Sequence, residues 1–132
     1  MAIIRSSRIY LLAITILFLC SFSGKENTEY KKLSVDQYNE LVKDDKLVLV
    51  DFYAPWCRPC NLMSPHIDKV AEMYKGKIKV IRINVDENKT MSTVLNIKYL
   101  PTIYFYKDRK AVWNNVGYLD QYALRVYLNR FL

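Results

Sequence analysis

Leu47-Val48-Leu49-Val50-Asp51-Phe52-Tyr53 is an apolar run, with β-branched Val48 and Val50 and one acid inside it. Such a run reads as a strand buried on both faces near the centre of a sheet. Before it, Val35, Tyr38, Leu41 and Val42 share one helical stripe. Ser34 opens that helix, and Gln37 three residues on completes a capping box. Asp44-Asp45 is expected to end it, and Glu29 to Leu33 is expected to form a first strand. After the central run, Met63, Ile67, Val70, Ala71 and Tyr74 recur at helical spacing, with Gly76 as the stop. Ile78 to Val85 then alternates as a strand, and Asp86 to Asn96 carries a weaker helical pattern. Thr102 to Tyr106 is rich in β-branched and aromatic residues, as strands are. Lys107 to Lys110 turns the chain into another strand, Ala111 to Val116. Asp120 to Phe131 closes it as an amphipathic helix. The order β-α-β-α-β-α-β-β-α predicts an α/β fold with a mixed central sheet and helices on both faces.

The N-terminal residues follow another pattern. Arg5 and Arg8 precede an uncharged stretch from Ile9 to Cys20, and Ser21-Phe22-Ser23 supplies small residues at a cleavage site. This is the layout of a secretory signal peptide. The apolar stretch falls short of the roughly 20 residues that a membrane span needs. The expected division is a signal peptide over residues 1–23 and one domain over 24–132. Lipidation at Cys20 is a second reading, less favoured because bulky Leu19 precedes it, and an uncleaved anchor is a third. Each puts residues 24–132 outside the cytoplasm, with the bacterial periplasm the expected compartment. The membrane is touched only if the segment is kept or Cys20 carries lipid.

Composition adds two exclusions. Hydrophobic residues make up 52% of the chain and charged residues 25%, which is the balance of a globular domain. The 20 Lys and Arg outnumber 13 Asp and Glu, but they are scattered rather than gathered into a basic groove. No nucleic-acid partner is therefore expected. Past the signal segment only Cys57 and Cys60 remain, too few for a disulfide scaffold. A zinc site needs about four ligands, and the only histidine is His66.

The two cysteines are placed for thiol chemistry. A buried strand ends at Tyr53, a short loop follows, and a helix begins near Cys57. Cys57 then sits at the positive end of the helix, which favours its thiolate. Cys60 lies one turn further in, close enough to form a disulfide with it and act as the resolving thiol. Pro59 suits a first helical turn, where its missing N–H is not needed.

From about Glu29 onward the chain resembles the thioredoxin family. The resemblance rests on Val50-Asp51-Phe52-Tyr53-Ala54, Trp56-Cys57-Arg58-Pro59-Cys60, Pro65, Asn84-Val85-Asp86, Leu100-Pro101-Thr102 and Val116-Gly117, in family order and spacing. It implies the thioredoxin fold and a thiol–disulfide oxidoreductase with a Cys57–Cys60 redox disulfide. Cys57 would attack a substrate disulfide, and Cys60 would resolve the mixed disulfide. Asp51 resembles the buried acid that exchanges protons with the resolving cysteine, and Pro101 resembles a cis-proline facing the site. Trp56, Arg58, Pro59, Leu100 and Gly117 fall at substrate-binding positions. The implied partners are proteins with disulfides and a redox partner that resets the cysteines. No cofactor or metal is implied, and a monomer is expected.

The chain also departs from the family pattern. Arg58 stands where Gly is usual, Asn61 where Lys is common, Arg82 where a Lys often lies near the buried acid, and Arg109 at a turn Gly. The first three leave the reaction class intact and bear on its redox poise. A reductant is the expected direction, with a net oxidase or isomerase as the rival. A non-catalytic binding module is a more distant one. His66 is expected to be a solvated helix residue.

Overall fold

The structure, a computed structural model, describes residues 27–132. The signal segment, its cleavage position and Cys20 lie outside the described residues. Five strands form one sheet in the order β1-β3-β2-β4-β5. They are β1 (Asn27–Tyr30), β2 (Leu47–Tyr53), β3 (Ile78–Asn84), β4 (Thr102–Lys107) and β5 (Lys110–Val116). β1, β3 and β2 run parallel, while β4 and β5 complete the sheet antiparallel. Among the described residues, four helices cover it: α1 (Val35–Leu41), α2 (Arg58–Met73), α3 (Lys89–Val94) and α4 (Gln121–Leu128). The mixed sheet with helices on both faces matches the pattern read from the sequence.

β2 is the central strand, and all seven of its residues are buried. Its side chains alternate between two cores, as the period of a strand requires. Leu47 and Leu49 join Met63, Ile67 and Val70 of α2 and Leu124 and Leu128 of α4. Val48, Val50 and Phe52 face the other way, with Tyr38 of α1 and Met91 of α3. Each such buried aliphatic or aromatic side chain contributes roughly 1.5–3 kcal/mol. The two cores therefore outweigh any single cap. The Ser34 capping box is present, with both of its hydrogen bonds formed.

Several boundaries move, each for a tertiary reason. The first strand ends at Tyr30 rather than Leu33, because Lys32 adopts a positive φ of 54°. Leu33 N–H then bonds Asn88 Oδ1 at 2.7 Å instead of a strand neighbour. The first helix stops at Leu41, and Asp44 instead accepts the Lys46 N–H in the loop before β2. α3 is shorter than the pattern predicted. Asn88 ahead of it is committed to the backbone oxygens of Tyr30 and Asn84, at 3.0 Å each. α4 is capped by Asp120, whose side chain accepts the Ala123 N–H, and its last turn loosens before Phe131. Phe131 still packs edge-on against Phe105. Asp108 and Arg109 turn the β4–β5 hairpin, both with positive φ, which is the geometry of a tight hairpin turn. Arg109 thus holds a conformation that glycine adopts more readily.

Candidate active site

The C-terminal end of β2 delivers the chain to the start of α2. Ala54 is buried, Pro55 and Trp56 form an exposed loop, and Cys57 N–H bonds back to Ala54 O at 3.1 Å. Cys57 is the N-cap of α2. Its Sγ accepts the Cys60 N–H at 3.3 Å, so the sulfur occupies the place of a capping oxygen. No acid lies in the first turn of α2. The positive helix end is therefore directed at this sulfur with no acid in the helix's own first turn to offset it. Cys57 and Cys60 are joined as a disulfide with their Cα atoms 5.3 Å apart. Both are buried, Cys57 at 4% exposure and Cys60 at 1%. Pro59 falls in the first turn of the helix, where its lack of an N–H costs nothing.

Two neighbours hold this loop. Asn61 Nδ2 donates to Pro55 O at 3.0 Å. Trp56 lies open at 71% exposure, and its Nε1 donates to Asp86 Oδ2 at 2.9 Å. The sequence marked Asn61 only as a departure, and Asp86 only as part of a matching segment. Both bonds depend on backbone geometry that spacing does not reveal.

The other wall comes from the far side of the sheet. The Leu100–Pro101 peptide is cis. Leu100 packs against the cluster of Tyr53, Ala54, Cys57 and Cys60. Gly117, at φ +103°, donates its N–H to Pro101 O at 2.8 Å. Thus Cys57, Cys60, Trp56, Leu100, Pro101 and Gly117 meet at one end of the sheet. Arg58 occupies the first position of α2, exposed and with no hydrogen bond or ion pair among the described residues.

Asp51 lies on β2 two residues before Tyr53, 1% exposed. It shares the β2 face with Leu49 and so points to the α2 side of the sheet. Arg82, its register partner on β3, donates from Nε to Oδ2 at 3.1 Å. The same guanidinium lies 4.5 Å from the Tyr53 ring centre. Oδ1 is buried without a partner among the described residues. Burial pushes the Asp51 carboxyl up to about 6, Arg82 opposes that rise, and Asp68 adds a little to it. His66 corrects the sequence reading. It is half-buried, with Nε2 2.9 Å from the Tyr118 hydroxyl and the two rings edge-on.

A cysteine pair at a helix N-terminus, a cis-proline wall and a buried acid define a dithiol–disulfide oxidoreductase site. The comparisons agree with this geometry. The thioredoxin family model matches residues 29–130. Thioredoxin from Porphyra purpurea is 39% identical over 93 residues, covering 70% of this chain and 87% of that one. Thioredoxin 1 from a Nostoc species is also 39% identical over 93 residues, with the same coverage. Among solved structures, chloroplastic thioredoxin z superposes with a TM-score of 0.67 at 32% identity, covering 78% of this chain and 94% of its own. Mitochondrial thioredoxin 3 from Saccharomyces cerevisiae, in its oxidized form, gives 0.69 at 25% identity, with 79% and 94% covered. The chain belongs to the thioredoxin family and is a thiol–disulfide oxidoreductase.

The state of Asp51 sets a pH dependence. Its folded-state pKa lies above the unfolded value of 3.8. Between the two, the folded protein binds more protons than the unfolded chain. Stability therefore falls as pH rises through about 4 to 6, by about 3 kcal/mol once the acid is ionised. Asp51→Asn keeps an oxygen for Arg82 and removes the ionisation. It is expected to stabilise the protein by roughly 1–3 kcal/mol at neutral pH and by little near pH 4. Urea unfolding across that range tests this. An Asn variant with no advantage at neutral pH would mean that Asp51 is not strained by its burial.

Proposed function

We propose that this protein is a reductant of protein disulfides outside the cytoplasm, with Cys57 attacking and Cys60 resolving. The observation that carries the thiol roles is the bond from Cys60 N–H to Cys57 Sγ at the cap of α2. That position favours the Cys57 thiolate, the form that attacks.

The exchange then runs in two steps. Cys57 Sγ attacks one sulfur of the substrate disulfide, and the other sulfur leaves as a thiolate and takes up a proton. Cys60 gives its proton to Asp51 and attacks Cys57 Sγ. The mixed disulfide breaks, the second substrate thiol departs, and the Cys57–Cys60 bond is left. Two electrons pass to the substrate, and a redox partner returns two to the pair. Asp51, its carboxyl pushed up to about 6 by burial, is suited to carry the proton. Trp56, Arg58, Pro59, Leu100 and Gly117 border the place where substrate would lie. The backbone beside Leu100 and Pro101 supports main-chain pairing with an extended segment.

Replacing Cys60 with Ser is expected to accumulate mixed disulfides that run as larger species on non-reducing gels. Cys57→Ser is not expected to accumulate them. More trapped protein with Cys57→Ser would reverse the two roles.

The reductant direction is supported by the relatives named above, each a thioredoxin. Titration of residues 24–132 in redox buffers is expected to give a potential closer to about −270 mV than to about −120 mV, the values typical of a reductant and a strong oxidant. Arg58 shifts that value upward by an expected 10–30 mV, because roughly 1 kcal/mol of attraction stabilises the Cys57 thiolate. A potential near the oxidant value would replace the reductant reading with an oxidase one.

Export is supported by the segment from Arg5 to Ser23. Mass spectrometry of the protein from its own cells is expected to find Gly24 as the first residue. A lipid-bearing Cys20, or an intact Met1 in the membrane fraction, would replace cleavage at Ser23 with anchoring.

A further inference from the structure

Arg58, Leu62, His66 and Lys69 follow one another along one edge of α2, at helical spacings that bring them onto one strip. The strip starts beside the nucleophile. Leu62 lies one turn further on, 56% exposed. His66 lies one turn beyond that and holds Tyr118 by its hydroxyl, with Tyr118 itself 47% exposed. Leu119 N–H bonds Met63 Sδ at 3.4 Å, which fixes the loop carrying Tyr118 against α2. The strip is thus continuous with the redox site and is walled by an aromatic ring.

Its charge is positive at the redox end. Arg58 and Lys69 are its cations, both exposed. Of the acids of α2, Asp68 lies about 80° around the helix from Arg58, and Glu72 follows Lys69 at the far end, about four turns from Arg58. Asp86 lies on the Trp56 side and is bonded to that indole. Asp120, close to Tyr118 in sequence, caps α4 through the Ala123 N–H. Arg58 is therefore a cation with no ion-pair partner among the described residues, one residue from the attacking sulfur.

We infer that the site selects disulfides whose cysteine has an acidic neighbour, followed on the same side by an aromatic residue that seats on Leu62 and Tyr118. The acid meets Arg58 in the mixed disulfide. One helical turn from Arg58 to Leu62 is about 5 Å, and Tyr118 lies about a turn further. An extended chain covers that distance in roughly two to four residues. The aromatic residue thus belongs two or three positions beyond the acid. This inference rests on the reading of Cys57 as the attacking thiol.

Synthetic peptide disulfides test it. Two series carry the motif Cys-Glu-Ser-Phe or its reverse, with Glu replaced by Lys and Phe by Ser in the controls. Each is reduced by the reduced protein, and its rate is divided by its rate with dithiothreitol, which removes intrinsic thiol reactivity. The Glu peptide of one series is expected to react about five- to tenfold faster than its Lys counterpart. The ratio should collapse in about 1 M salt, where the Debye length is about 3 Å. Arg58→Glu is expected to invert the ratio in favour of Lys. Leu62→Ser is expected to remove the advantage of Phe over Ser while leaving the charge preference. Normal insulin reduction with no Glu-over-Lys preference, or a preference that survives Arg58→Glu, would overturn the inference alone. A protein that reduces neither insulin nor any peptide would overturn the thiol assignment and the inference with it.

Discussion

The seven buried residues of β2 lie between β3 and β4, and the site depends on where that strand ends. Burial on both faces fixes β2 in register against two neighbours, so its last residue cannot drift. Tyr53 and Ala54 then set the start of α2 to within a hydrogen bond, Cys57 N–H to Ala54 O. The helix end is aimed at Cys57 Sγ because the sheet beneath it is rigid. A pair of cysteines on a mobile loop would lack that fixed field.

The same strand carries the least comfortable residue in the core. Asp51 is surrounded by apolar side chains and shares one hydrogen bond with Arg82. Burying a carboxylate is costly, and a single guanidinium on one oxygen does not cancel the cost. The carboxyl answers by holding its proton to higher pH. A proton carrier near the working pH is what thiol exchange requires. The strain and the proposed use therefore come from one fact, the placement of an acid in a fully buried strand.

Arg82 shows how the site restrains that acid. Its guanidinium bonds Oδ2 and lies over the Tyr53 ring, so it is held from two sides. Its planar guanidinium can bond the carboxylate and lie on an aromatic ring at once. Its charge lowers the Asp51 pKa against the rise that burial causes. The second oxygen, Oδ1, is buried without a hydrogen-bond partner among the described residues.

Local pattern was enough to read β2, the capping box at Ser34, the α2 stripe and the Cys57–Cys60 pair. Each depends on residues within a few positions of one another, and the periods of strand and helix make them visible. The cis peptide before Pro101 and the burial of Asp51 were legible through family resemblance and the apolar run respectively. The sequence did not show that Asn88 would bond Leu33 and Tyr30, more than fifty residues away, and so end β1 early. Nor did it show that His66 would hold Tyr118, or that Asn61 would bind the loop at Pro55. Those bonds join polar groups whose spacing carries no period. Which donor meets which acceptor is decided only when the sheet order brings distant segments together, and that is a property of the packed chain.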